Sequence, residues 1–156
     1  MSFSMLQSSQ RLAIGIDQAW EFFSSPGNLS KITPPSMDFS IIEEKSDPMD
    51  KMYSGMIIAY RVRPMLGIPL NWVTEITEVK EPEFFIDEQR YGPYAFWHHQ
   101  HSFRAVDGGT EIGDTVRYRL KGWIFARPVE KLIVNRQLTQ IFDYRRKVLA
   151  EIFPTF

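Results

Sequence analysis

From Phe3 to Ile14 the chain carries β-forming residues in loose alternation with polar ones, the period-two pattern of a strand with one buried face. Asp17 then offers an N-cap oxygen ahead of Ala19, Trp20, Phe22 and Phe23, whose spacing predicts a short helix. Ser25-Pro26-Gly27-Asn28 breaks that helix, Leu29 to Thr33 can add one or two further turns, and Pro34-Pro35 forbids continuation, since proline has no amide hydrogen to give. Two short helices are therefore expected after the first strand. From Met37 to Leu120 the pattern changes to strands punctuated by Ser46-Asp47-Pro48, Gly67-Ile68-Pro69, Glu81-Pro82-Glu83, Gly92-Pro93 and Asp107-Gly108-Gly109. About six strands fit between these signals. The last signal is the clearest hairpin turn, because consecutive glycines accept the positive φ that such turns need.

Gly122 ends the sheet region, and past Ala126 a proline at Pro128 suits a first helical turn. Neither proline nor glycine recurs until Pro154. Leu132, Val134, Leu138, Ile141, Val148 and Ile152 fall mainly on one stripe, with Glu130, Lys131, Arg136, Arg146 and Lys147 largely elsewhere. The spacing predicts an amphipathic helix of about seven turns. Its stripe must lie against something, and the preceding sheet is the only element large enough. No repeat or linker interrupts the pattern, so residues 1–156 read as one α+β domain: a strongly curved antiparallel sheet of about seven strands gripping a long C-terminal helix.

At 156 residues such a domain can bury roughly two-thirds of its unfolded surface. A net charge of -1 and a pI near 6.3 argue against a dominant nucleic-acid surface. With no cysteine there is no disulfide, thiolate nucleophile or thiolate metal ligand. Met1 to Gln10 shows no basic stretch followed by a long apolar run, so no signal peptide or membrane insertion is expected, and the cytoplasm is the expected location. Aromatic residues at 14% and seven methionines suit a cavity wall as well as a packed core.

The chemistry concentrates in one strand, Tyr94 to Val106, which holds all three histidines. Alternation puts Trp97, His99, His101 and Phe103 on one face and Phe96, His98 and Gln100 on the other. Two imidazoles bracketed by two large aromatics need partners if that face points inward. Neighbouring strands can supply them: Phe85, Asp87 and Gln89 share a face, as do Ile112, Asp114, Val116 and Tyr118. Asp87, Gln89, His99, His101, Asp114 and Tyr118 thus form a self-consistent cluster, in which a carboxylate orients an imidazole and favours its charged form. Three readings stay open: a buried register-fixing network, a ligand-orienting patch on the floor of an apolar pocket, or a metal or acid-base site. Met56, Ile58, Tyr60 and Val62, and Trp72, Thr74 and Ile76, make further apolar faces that serve as core or cavity lining. Arg61 and Arg63, and likewise Arg145-Arg146-Lys147, read as solvated charges.

The order of elements, together with Gly67-Ile68-Pro69 leading to Trp72, Gly92-Pro93-Tyr94 leading to Trp97-x-His99-x-His101-x-Phe103, Gly108-Gly109-Thr110 leading to Asp114 and Tyr118, and Phe142-x-Tyr144-Arg145, resembles the SRPBCC or START-like superfamily. This helix-grip superfamily includes the birch-pollen-allergen family and polyketide cyclases, and the motifs resemble a bacterial ligand-binding subgroup often labelled cell-division-inhibitor-like. The resemblance implies a hydrophobic cavity between helix and sheet and a small hydrophobic ligand such as a lipid, sterol or polyketide. The leading expectation is a binding protein without cofactor or metal. Trp72, Trp97, Phe103 and Tyr118 would line a pocket of roughly 300 to 1,000 Å³, with Asp87, Gln89, His99, His101 and Asp114 at its polar floor. The alternative is a cyclase or dehydratase-type enzyme with His99 or His101 as the acid-base group, oriented by Asp87 or Asp114.

Overall fold

The computed structural model describes residues 3–43, 51–65, 67–122 and 128–156. The Ser46-Asp47-Pro48 turn signal and the side chains of Glu130 and Lys131 lie outside what is described. Strand β1 spans Ser4–Leu12 and its burial alternates residue by residue, as its sequence does. Helix α1 follows at Ile16–Phe23. Its N-cap is Gly15 and not Asp17, which sits in the first turn, where its charge faces the positive end of the helix. The chain turns early because the Thr110 hydroxyl donates to the Ile14 carbonyl at 2.8 Å. Two 3-10 turns come next, Pro26–Ile32 and Pro35–Met37. Pro26 both ends α1 and opens the first turn, so that turn starts ahead of Leu29, and a missing amide hydrogen costs nothing at a first helical position.

The remaining strands are β2 (Ser40–Glu43), β3 (Ile57–Met65), β4 (Ile68–Lys80), β5 (Phe84–Tyr91), β6 (Tyr94–Val106) and β7 (Gly109–Leu120), and helix α2 covers Pro128–Ile152. Among the described residues six strands follow Met37, the expected number, with β3 beginning at Ile57, one residue past Met56 of the expected apolar face. The seven strands form one antiparallel sheet in the order β1-β7-β6-β5-β4-β3-β2. Helix α2 touches both β1 and β3. In a flat sheet those strands would be five spacings apart, about 24 Å, whereas a helix with its side chains is only about 10–12 Å across. The sheet must therefore curl round the helix, and the register shifts in β2/β3, β3/β4, β4/β5 and β6/β7 help it do so. This is the helix-grip architecture.

On α2 the buried line runs Val134, Leu138, Phe142, Arg145 and Leu149. Of the expected stripe, Ile141 and Val148 are half-buried beside this line and two members are exposed. Leu132 is 68% exposed because it lies about 120° round the helix from Leu138, and Ile152 is 43% exposed in the last turn. Beyond α2 the chain is tied back to β1, with Ala13 N–H donating to the Pro154 carbonyl at 2.8 Å. One apolar cluster joins Leu12, Trp20, Phe23, Phe85, Phe103 and Leu149 beneath α1. Another joins Trp72, Tyr94, Val116, Tyr118, Leu138 and Phe142 between sheet and α2.

Gly109 leaves no room for a side chain. A Cβ there would lie 2.0 Å from the Leu12 carbonyl oxygen and 2.9 Å from the Ala13 Cα, both backbone atoms that cannot swing aside. Gly109→Ala is expected to destabilise the fold by about 3 kcal/mol, because β1 must shift off β7 where Leu12 pairs with Thr110. Urea denaturation measures this; a loss within about 0.5 kcal/mol would be that of an ordinary surface position and would refute the clash.

Candidate functional site

A cavity of about 150 Å³ lies between α2 and the concave face of the sheet. It is smaller than the expected range, because Leu138, Ile141, Phe142 and Arg145 reach in from the helix and Tyr60, Trp72 and Trp97 from the sheet. Half-buried Asn28, Leu29, Thr33 and Met37 from the 3-10 turns, and Gln137 and Ile141 from α2, mark where its lining approaches solvent.

Five of the nine sequence-picked residues, Trp72, Asp87, Trp97, His99 and His101, lie in the wall. The other four do not. The Gln89 side chain clasps the backbone of Tyr94 across the β5–β6 turn, donating to its carbonyl at 2.8 Å and accepting from its N–H at 3.1 Å. Phe103 packs edge-on to Trp20 in the core beneath α1. Tyr118 lies in the core behind the wall, its hydroxyl 3.4 Å from Asn135 Oδ1. Asp114 lies beside Arg145 in the lining of a small adjoining cleft.

Strand register brings the polar groups together. His99 pairs directly with Asp87 on β5, and His101 directly with Asp114 on β7. The short bonds run along the diagonals: His99 Nε2 to Asp114 Oδ1 and His101 Nε2 to Asp87 Oδ2, each 2.7 Å. The second nitrogens lie 3.3 Å from Asp87 Oδ2 and 3.2 Å from Asp114 Oδ1, respectively. Each carboxylate thus bridges two imidazoles whose centroids are 3.7 Å apart. Phe85 stacks on His101 at 4.2 Å, and Trp97 Nε1–H donates to Asp87 Oδ1 at 3.2 Å.

Burial pushes both carboxyls up, yet both end below the usual carboxylate range. For Asp87 the His99 charge and the His101 and Trp97 hydrogen bonds outweigh burial; for Asp114, which falls well below, Arg145 and the two imidazoles do so. The imidazoles separate. Burial and the neighbouring His101 charge lower His99, whereas the bonds from His101 to Asp114 and Asp87 overcome burial and raise it. These opposite directions favour His101 over His99 as the imidazole that carries the proton, which sets it and Arg145 against the two aspartates.

Asp87, His99 and His101 offer three ligand atoms within 4.8 Å, the donor types of a metal centre. The rings lie 3.7 Å apart with 33° between planes, and one nitrogen of each contacts the same Asp87 Oδ2, so a carboxylate oxygen occupies the point on which the two nitrogens converge.

Arg145 departs most from the sequence reading. It is 8% exposed, not solvated, and its Nη1–H donates to Asp114 Oδ1 at 3.3 Å. Helical arithmetic could have shown this, because Arg145 is three residues from Phe142 and four from Leu149 on the apolar line. Tyr60 and Thr74 were legible as lining but not as a polar contact: Tyr60 Oη lies 3.2 Å from Thr74 Oγ1, which also accepts from Trp72 Nε1–H at 3.1 Å. Burial raises Tyr60 far beyond physiological pH, so its phenol stays neutral.

No protein-family model matches the sequence, and no curated protein does. Solved structures match along nearly the whole chain. A START superfamily protein from Mycobacterium smegmatis is 12% identical with a TM-score of 0.69, covering 96% of each chain. Ara h 8.0201 is 16% identical with a TM-score of 0.64, covering 96% of this chain and 99% of its own. Protein Ms6760 from Mycobacterium smegmatis is 18% identical with a TM-score of 0.65, covering 97% and 98%. The fold expected from the START-like resemblance is the fold these proteins share. Among the described residues no helix is long and apolar enough to cross a membrane.

Proposed function

We propose that this chain, acting as one ligand-binding domain, uses its helix-grip fold to hold a small, largely apolar molecule in the cavity between α2 and the sheet. The observation that carries this reading is the void itself. Its wall is mostly aromatic and aliphatic, with a few polar groups converging at one end, the make-up of small-molecule sites. At about 150 Å³ it suits molecules of one or two rings or a short chain, and a sterol is too large. Each of the four ring nitrogens of His99 and His101 has a carboxylate oxygen within 3.3 Å. That arrangement favours binding over an acid-base enzyme, because the Nε2 atom of each ring is already engaged by a carboxylate at 2.7 Å and the rings are held in place between the two aspartates.

A panel of short fatty acids, one- and two-ring aromatics and sterols, read by thermal shift, tests the reading. A fitting ligand at a hundredfold its Kd adds about 2.7 kcal/mol, or roughly 5–10 °C for a chain of this size. Sterols should give no shift. If no compound shifts protein that native mass spectrometry shows to be free of co-purified molecules, the reading is wrong.

A further inference from the structure

We propose, building on that cavity-binding reading, that the ligand is a small organic monoanion, a carboxylic acid whose carboxylate meets the guanidinium of Arg145 while its apolar body fills the void. A guanidinium carries five N–H donors and no acceptor. In Arg145 only Nη1 has a hydrogen-bond partner among the described residues, and Nε is buried with none. A buried cation is ordinarily paired and hydrogen-bonded throughout. Here Asp114 Oδ1 is the one carboxylate contact among the described residues, at 3.3 Å, and that oxygen is shared with His99 at 2.7 Å. Arg145 belongs to the cavity wall, and the fork of a guanidinium matches the two oxygens of a carboxylate. Its charge is felt at the Tyr60 hydroxyl, a neutral donor in the same wall.

Charge balance selects a monoanion. Before binding, Asp87 and Asp114 are set against Arg145 and His101, whose pKa their bonds raise. An incoming carboxylate adds one negative charge, and His99, whose pKa burial lowers, is the imidazole left to restore balance by taking a proton. The groups facing His99 are Asp87 from β5, His101 and Trp97 from β6, Asp114 from β7 and Phe142 from α2, and Arg145 from α2 reaches the same Asp114 oxygen. Among these, imidazole is the side chain whose ordinary pKa lies near neutrality. The acid should therefore bind together with close to one proton.

The test uses two acids with their primary amides, naphthalene-2-carboxylic acid and octanoic acid, titrated calorimetrically near neutral pH. At least one acid should bind 30-fold or more tighter than its amide, and its heat in phosphate and Tris buffers should differ as uptake of about one proton requires. Arg145→Gln should bring the acid's affinity down to that of the amide. Equal binding of acid and amide by the wild type overturns the anion proposal and leaves the cavity reading standing. A preference that survives Arg145→Gln also overturns it. Failure of all four compounds defeats both. Should Arg145→Gln not fold, the wild-type comparison and the buffer dependence decide alone.

Discussion

Asp114→Ala is expected to remove about 3–5 kcal/mol of unfolding free energy, the usual result of stripping one partner from a buried charge pair. Asp114 is 8% exposed and lies 2.7 Å from His99, 3.2 Å from His101 and 3.3 Å from Arg145. Without it the buried guanidinium has no carboxylate partner among the described residues, and both imidazoles lose a partner. The melting temperature should fall on the order of 10 °C. Asp114→Asn keeps the shape without the charge and should cost nearly as much, which separates the electrostatic loss from a cavity effect. Adding Arg145→Met to Asp114→Ala should cost little further, since the charge to be compensated is gone, so the double-mutant cycle should show coupling above about 1 kcal/mol. A loss below that in Asp114→Ala, or simple additivity, would mean that the network does not hold sheet and helix together.

Stability should peak near neutral pH and collapse in acid. Asp87 and Asp114 have folded pKa values below their unfolded ones, so their contribution is complete above the ordinary carboxylate range and is lost as pH falls through it. His99 acts in the same direction at higher pH. Its folded pKa is below its unfolded value of about 6.5, so stability falls as pH drops beneath that value and the unfolded chain takes up the proton. His101 is opposite. Its pKa is raised on folding, so its contribution is full below the unfolded value and disappears as pH climbs through the folded one. Urea midpoints measured from pH 9 to pH 3 should rise toward neutrality, then fall below about pH 6 and more steeply below about pH 4. Asp114→Asn should flatten the acid limb. A wild-type midpoint unchanged between pH 7 and pH 4 would contradict the coupled network.

The fold was legible because its signals are local. Alternation along β7 puts Ile112, Asp114, Val116 and Tyr118 on one buried face whatever the neighbours are, and Gly108 accepts its φ of 81° without a partner's help. Even the inward pointing of His99 and His101 follows from Trp97 and Phe103 beside them. Phe103 and Tyr118 share that face with the cavity-lining residues, yet α1 covers the one with Trp20, and the other is sealed behind Tyr94 and Trp97. Which part of a buried face meets a void depends on what packs opposite, and period-two spacing carries no such information.

By itself the amino-acid order determined the strands, the turns, the long helix and the pairing partners available to two histidines. Those properties depend on residues close in the chain. Only the tertiary structure decided that the short bonds run diagonally, that Arg145 turns in to meet Asp114, and that about 150 Å³ stays unfilled. Charges on β5, β6, β7 and α2 share one low-dielectric pocket because the sheet curls far enough to touch the helix at β1 and at β3. That closure is set by the sum of all the packing, and no single segment encodes it.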